Sequence, residues 1–185
     1  MGRKVLTFEL IQMLESFFIF RRKMKTQAKI IYTYLDNEGI DYQTINHPPV
    51  YTAEAADKYV QNYHFIRTKT LFLKNKAGYY LVALLENKRL DMKKLKQRLA
   101  TSRFSFARPK ELKAKLQITS GAVSPFNLMN DEEHQVTFIV DADILRSGQK
   151  IGCHPNDNTA TIDLAVTDLL QIVKKYGNPV KVIEL

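Results

Sequence analysis

Two basic residues stand where they could serve a reaction. Lys69 opens the predicted strand TKTLFL, and at that position its ammonium group could enter a cleft. Arg103 lies in SRFSFA, between a basic helix and a strand-like segment. Each has a purely structural alternative. A lysine at a strand edge discourages aggregation, and Arg103 could be an ordinary surface arginine.

Two loops could bind a small ligand. In GAVSPF, Gly121 precedes small residues, so backbone N–H and C=O groups could approach a ligand closely. In GCHPNDNTATI, His154 precedes Pro155 and a run of small polar residues. The alternatives are a tight turn in the first loop and, in the second, a turn capped by histidine and fixed by proline. The residues alone leave both interpretations open.

Common catalytic motifs are missing from the sequence. It contains no GxGxxG, no phosphate-binding GxxxxGK[ST], no HExxH and no G-x-S-x-G. Cys153 and His154 are neighbours, but one cysteine and one histidine make a poor zinc site, so we expect no metal and no cofactor. An enzyme of this kind would lack a protein nucleophile and would need substrate-assisted chemistry in a preorganised pocket.

Size and composition predict one soluble domain. The chain has 185 residues, of which 45% are hydrophobic and 25% charged. Its apolar runs fall short of the ~20 residues that a membrane span needs, and no convincing signal peptide is present. The single cysteine excludes an internal disulfide and favours a reducing cytoplasm. We therefore expect a cytoplasmic protein without a membrane partner.

The net charge of +9 suits a polyanionic partner such as RNA. The alternative is a solvated basic face without a specific partner. Part of the excess lies in the first 25 residues, where RRK follows FFIF.

Hydrophobic periodicity predicts an α+β fold with a mixed sheet, because helices and strand hairpins alternate irregularly. An amphipathic helix is predicted over 4–22. A second helix is predicted to begin at Met24 and to end at Gly39. We therefore divide the chain into an N-terminal extension, 1–23, and a domain, 24–185. The predicted strands are DYQTINH, KTLFLKN, GYYLVALL, QVTFIVD, TATIDLAV and VKVIEL; the further helices are TAEAADKY, DMKKLKQRLA, RPKELKAKL and VTDLLQIVKKYGN.

Five segments in order resemble the YbaK/prolyl-tRNA synthetase-associated domain family: HPPVYTAEAA, KTLFLKNKAGYYLVAL, RFSFARPKEL, GAVSPFNLMND and HPNDNTATI. That family comprises free-standing trans-editing deacylases and the editing domain inserted in bacterial prolyl-tRNA synthetases. The resemblance implies a mixed, largely antiparallel sheet, partly closed and flanked by helices. The last two segments are more similar to the branch that removes alanine from mischarged proline tRNA. Thr70 departs from that branch, which often has asparagine there.

The resemblance also implies an activity and a site. Water would hydrolyse the ester between an amino acid and the terminal ribose of tRNA, without a covalent enzyme intermediate. The catalytic residues would be Lys69, Gly121 and His154. The substrate-binding residues would be Thr52, Thr70, Arg103, Ala122, Ser124, Pro125 and Thr161. The partners would be mischarged tRNA(Pro) and, beside it, prolyl-tRNA synthetase, with no role for DNA.

The sequence leaves other functions open. The chain could be a non-catalytic RNA-binding or regulatory module, or could bind a free amino acid or adenylate in the same pocket. It could also be a deacylase for cysteine or serine. A basic segment from Lys88 to Arg103 is a candidate tRNA-binding surface, with a solvated helix face as its alternative.

Overall fold

The structure, a computed structural model, describes residues 27–50, 53–118 and 123–185. The predicted helix over 4–22 and the extension 1–23 lie outside these ranges. The helices are α1 (27–37), α2 (Ala53–Val60), α3 (Met92–Arg98), α4 (Pro109–Leu116), α5 (Ala142–Arg146) and α6 (Val166–Lys175), with a 3-10 helix over Pro125–Asn130. The strands are β1 (Tyr42–Asn46), β2 (Thr68–Asn75), β3 (Gly78–Leu85), β4 (Ser105–Phe106), β5 (Val136–Asp141), β6 (Lys150–Cys153), β7 (Ala160–Ala165) and β8 (Val180–Ile183).

The strands form two sheets. One has five strands in the order β4-β2-β3-β5-β8, and the other has three in the order β1-β7-β6. Pairing is antiparallel except between β3 and β5 and between β5 and β8. A parallel bridge between Ile66 and Ile151 joins the sheets. The predicted α+β class with a mixed, largely antiparallel sheet is confirmed, whereas the sheet does not close beyond that bridge.

The five-stranded sheet is buried on both faces. Successive residues of β2, β3 and β5 point alternately to two apolar clusters, as the period of two in a strand requires. The larger cluster contains Phe72, Leu81 and Phe138 and extends to the three-stranded sheet and to α1, α4 and α6. The smaller cluster lies on the opposite face, where α3 covers the sheet: it contains Leu73, Val82, Leu95, Phe104 and Ile139.

Several predicted element ends have a direct physical cause in the structure. Gly39 has a φ of +65°, and Gly177 a φ of +92°, so each adopts the left-handed conformation that ends a helix. Between β2 and β3, the side chain of Asn75 accepts hydrogen bonds from the backbone N–H groups of Ala77 and Gly78. This hairpin fixes β2 and β3 in antiparallel register.

Lys88 ties the end of β3 to the rest of the sheet. Its Nζ lies 2.7 Å from an oxygen of Asp141, which is fully buried, and 2.5 Å from an oxygen of Asp143. It also donates to the backbone oxygen of Leu185. Burial lowers the pKa of Lys88, but the hydrogen bonds to the two carboxylates outweigh it, so the pKa is raised overall. Lys88 is therefore a structural ion-pair residue.

Candidate active site

A cavity of about 220 Å³ lies where the start of β2, the end of β6 and the start of the 3-10 helix meet. Its lining includes Lys69, Thr70, Ser124, Pro125, His154 and Thr161, all of which are predicted site residues. The volume lies below the ~300–1,000 Å³ that is typical for pockets of drug-sized ligands. A small group, such as an aminoacyl ester at the end of a larger molecule, matches this size.

Lys69 supplies a positive charge to the cavity. It lies in β2 opposite Leu84 of β3, at a point that β4 does not reach. Its Nζ donates to the backbone oxygen of Glu86 at 2.8 Å. Within the described ranges no carboxylate lies in ion-pair distance of this ammonium, which leaves its charge and its remaining N–H bonds for a ligand.

His154 presents a hydrogen-bond acceptor to the cavity. Its Nδ1 lies 3.0 Å from the backbone oxygen of Ala160, and because a carbonyl only accepts, Nδ1 must hold the proton. Burial lowers the pKa of His154 and outweighs the hydrogen bond to the backbone of Ala160, which raises it. The neutral ring is thus favoured, and its Nε2 keeps a free lone pair. No described residue provides a partner for this nitrogen.

Thr161 lies on β7, and its hydroxyl group is hydrogen-bonded to His47, which was not among the predicted site residues. The Nε2 of His47 lies 3.0 Å from Oγ1 of Thr161, and its Nδ1 lies 2.9 Å from the backbone oxygen of Pro48. The signal in the sequence is a histidine two residues after Ile45, at an inward position of the predicted strand DYQTINH, although β1 itself ends one residue earlier. Only its pairing with β7 reveals the contact.

Amide side chains clamp the two site loops together. Ser124 donates its hydroxyl proton to the backbone oxygen of His154 at 2.7 Å, and its backbone N–H donates to Asn127. Asn127 in turn donates to Asn156 at 2.5 Å, and all three side chains are buried. Asn156 has a φ of +57°, in the left-handed region that asparagine tolerates. The network fixes the 3-10 helix against the loop that contains His154.

Two other reactive groups near the cavity are not available as nucleophiles. Burial raises the pKa of the Cys153 thiol to about 12, so the reactive thiolate does not form at neutral pH. Asp57 lines the cavity but forms an ion pair with Arg67. Among the described residues, no three His, Cys, Asp or Glu side chains form a group that could hold a metal ion.

The remaining predicted site residues are not brought to the cavity or are not described. Arg103 lines a separate, open depression beside the β2–β3 hairpin, together with Lys74 and Ser105. Because Ser105 pairs with Lys74, this depression is about 16 Å from Lys69 along β2. Gly121, Ala122 and Thr52 lie outside the described residues, so their predicted roles stay predictions.

The chain belongs to the family of aminoacyl-tRNA editing domains, whose model matches residues 47–172. It is 40% identical over 154 residues to the prolyl-tRNA editing protein ProX of Acetoanaerobium sticklandii, covering 82% of this chain and 93% of that protein. It is 32% identical over 144 residues to prolyl-tRNA synthetase associated domain-containing protein 1 of Danio rerio, covering 77% and 78% of the two chains. These findings confirm the predicted family and, with it, the prediction of an editing enzyme.

A solved structure has the same fold. A candidate trans-editing enzyme for prolyl-tRNA synthetase superposes with a TM-score of 0.66 at 19% identity, over 86% of this chain and 97% of that one. In the described part of the chain, no helix is both long and apolar enough to span a bilayer.

Proposed function

We propose that the protein hydrolyses alanine from mischarged tRNA(Pro) in trans. The observation that supports this most directly is the meeting of Lys69, His154 and Thr161 at one cavity of about 220 Å³. This set offers a cation and two neutral hydrogen-bonding groups, with no protein nucleophile among them. Such a set suits the addition of water to an ester, because charge develops on the carbonyl oxygen and a proton leaves the water.

In the proposed reaction, water attacks the carbonyl carbon of the aminoacyl ester. Nε2 of His154 accepts a hydrogen bond from the attacking water or from the free ribose hydroxyl beside the ester. The Lys69 ammonium donates to the carbonyl oxygen as that oxygen becomes negative, or binds the terminal phosphate. The bond between the carbonyl carbon and the ribose oxygen then breaks, which releases the amino acid and a tRNA with a free terminal hydroxyl.

Substrate choice would depend on size. One methylene changes binding in an apolar pocket by only ~1–3 kcal/mol, so an editing site works as a second sieve that admits what is small enough. Val123 and Pro125 bound the cavity. In this proposal the same wall admits the methyl group of alanine and excludes the proline ring.

The tRNA body would bind outside the cavity through its phosphates. Lys93, Lys94 and Lys96 are exposed on α3, and no carboxylate of the described residues lies in ion-pair distance of them. Arg103, in its separate depression, is a further candidate for a phosphate contact. The relatives' names also support prolyl-tRNA synthetase as a second partner, which would supply the mischarged tRNA.

The test is deacylation of a matched panel of substrates by the purified full chain. Alanyl-, cysteinyl-, seryl- and prolyl-tRNA(Pro) are each incubated with the protein, and the remaining ester is measured. We expect rapid loss of alanine and retention of proline. Preferential loss of cysteine or serine would reassign the substrate within the same activity. A folded protein that removes none of the four would contradict the proposal and favour a non-catalytic RNA-binding module.

A further inference from the structure

His47 lies behind the cavity wall, outside its lining. The residue is 7% exposed, and its ring stacks on Tyr59 with centroids 5.8 Å apart. It meets the ring of His154 edge to face at 6.1 Å. Its backbone N–H donates to the oxygen of Thr159, in the segment that leads into β7. The ring is therefore held on several sides, and its two nitrogen atoms have fixed neighbours.

Those neighbours determine where the ring proton resides. The oxygen of Pro48, 2.9 Å from Nδ1, is a carbonyl and can only accept, so Nδ1 must carry a proton. A neutral imidazole has one N–H, and Nε2 is then an acceptor. The hydroxyl of Thr161, 3.0 Å from Nε2, must therefore donate to it. Because the hydroxyl proton of Thr161 is directed at Nε2 of His47, the hydroxyl oxygen has only its lone pairs to offer a ligand in the cavity.

We propose that His47 is a positioning residue that makes Thr161 a hydrogen-bond acceptor for the α-ammonium group of the aminoacyl ester. This inference rests on the proposed function. The ammonium needs acceptors, and two others in the described lining are already engaged: Asp57 is paired with Arg67, and Oγ of Ser124 accepts from the N–H of Phe126. The lining also contains Glu86, whose carboxylate would share the ammonium with Thr161. Thr161 would then bind the amino group, while His154 faces the water and Lys69 faces the carbonyl oxygen of the ester.

The kinetic test uses His47→Phe, His47→Gln and Thr161→Val. Phenylalanine keeps a ring against Tyr59 but removes the acceptor; glutamine supplies an amide oxygen near the position of Nε2. The ammonium is present both in the bound substrate and in the transition state. Loss of the hydrogen bond to it should therefore raise KM and leave kcat nearly unchanged. We expect His47→Phe and Thr161→Val each to raise KM about tenfold, which corresponds to one hydrogen bond to a charged group. His47→Gln should recover most of that loss.

The double variant decides whether the two residues act together. If His47 acts through Thr161, adding Thr161→Val to His47→Phe should raise KM little further. Tyr59→Phe is the matched control, since it keeps the stacked ring, and should leave KM unchanged. Additive effects, an unchanged KM in His47→Phe, or equal damage from phenylalanine and glutamine in variants that melt like the wild type would overturn the inference.

A second measurement does not depend on activity. Long-range ¹H–¹⁵N spectra of the histidine side chains at neutral pH report which ring nitrogen of His47 carries the proton. We expect a protonated Nδ1 and a proton-free Nε2. A proton on Nε2 would overturn the inference even if the enzyme is active. A chain that deacylates none of the four substrates but has this tautomer would refute the proposed function while keeping the orientation of Thr161.

Discussion

Lys69 and His154 reach the cavity from different strands and in opposite hydrogen-bonding roles. The first offers N–H bonds and a positive charge, and the second offers a lone pair. Each is oriented by a backbone carbonyl, from Glu86 and Ala160 respectively, so substitution of neighbouring side chains cannot easily release them. At the scale of single residues, the chemistry of the site depends on which polar atoms already have a hydrogen-bond partner within the protein and which are free to bind a ligand.

Replacing Lys69 with alanine should reduce kcat/KM for alanyl-tRNA(Pro) by a factor of about 10² or more. One preorganised electrostatic contact to a developing oxyanion is typically worth ~2.7–4 kcal/mol. The free energy of unfolding should fall by at most about 1 kcal/mol, because one partly exposed hydrogen bond is lost. Lys76→Ala, at an exposed position in the hairpin, is the control. A folded Lys69→Ala protein with wild-type rates would contradict the assigned role.

His154 should make the protein less stable in mild acid. Its pKa is lowered by burial, so as the pH falls below about 6.5 the unfolded chain binds a proton that the folded chain does not. The free energy of unfolding therefore decreases as the pH falls below about 6.5. Glu111, whose pKa the Lys74 hydrogen bond lowers to about 2, affects stability only at lower pH.

Urea unfolding at pH 7.5 and pH 5.5 measures this difference. His154→Gln should show a smaller decrease between the two values than the wild type. His64→Gln, which changes an exposed histidine, should behave like the wild type. Identical pH dependence in all three proteins would show that His154 binds its proton equally well in the folded and unfolded chains.

At the scale of elements, the cavity exists because β6 lies close to the segment before β2. The bridge between Ile66 and Ile151 joins the two sheets at this point. The next residue, Gly152, faces the ring of Phe65 so closely that any side chain at position 152 would overlap the ring carbons. Gly152 and Phe65 both line the cavity, so the shape of its wall depends on the absence of a side chain at position 152.

Gly152→Ala should displace Phe65 and deform the cavity. Overpacking of this kind typically costs ~1–3 kcal/mol in the free energy of unfolding, and kcat/KM should decrease with it. Adding Phe65→Leu shortens the opposing side chain and should restore part of both quantities. Phe65→Leu alone is the control. If Gly152→Ala has the melting temperature and the activity of the wild type, Phe65 can move aside at little cost in free energy. The close approach of Gly152 to Phe65 would then have no role in shaping the cavity.

At the scale of the whole molecule, some of the basic residues form ion pairs within the fold, and others are exposed on the surface without such a pair. Lys88 is held by Asp141 and Asp143 and cannot serve as a free phosphate contact, although the sequence places it in the basic segment. Arg98 pairs with Glu184. The exposed lysines of α3, together with Arg89 and Arg103, are the members of that segment that remain open to solvent and to a polyanion.

Lys93→Glu combined with Lys94→Glu should weaken binding of tRNA and reduce its dependence on salt. Each phosphate contact that is lost removes a released counterion, so the slope of log K against log salt should decrease by about one to two. Lys29→Glu with Lys174→Glu makes the same change in net charge on α1 and α6, and should have a smaller effect. Equal losses in the two double variants would show that net charge, and not α3, determines binding.

Local patterns in the sequence determined most of the elements. The alternation in KTLFLKN and GYYLVALL and the glycines after α1 and α6 act within a few residues, so they needed no tertiary information. The short elements α5 and β6 were not predicted, because five and four residues contain too little periodicity. The resemblance placed Lys69, His154 and Thr161 in one site, and the structure brings them to one cavity.

What only the tertiary structure decided is which atoms of those residues remain free. Arg103 follows a basic helix in the sequence, yet the pairing of β4 with the far end of β2 sets it apart from the cavity. His47 gains its contact with Thr161 because β1 pairs with β7 across more than a hundred residues. Long-range pairing brings such groups together, and no local pattern of residue types encodes it, since hydrogen bonding at a site depends on partners that are distant in the chain.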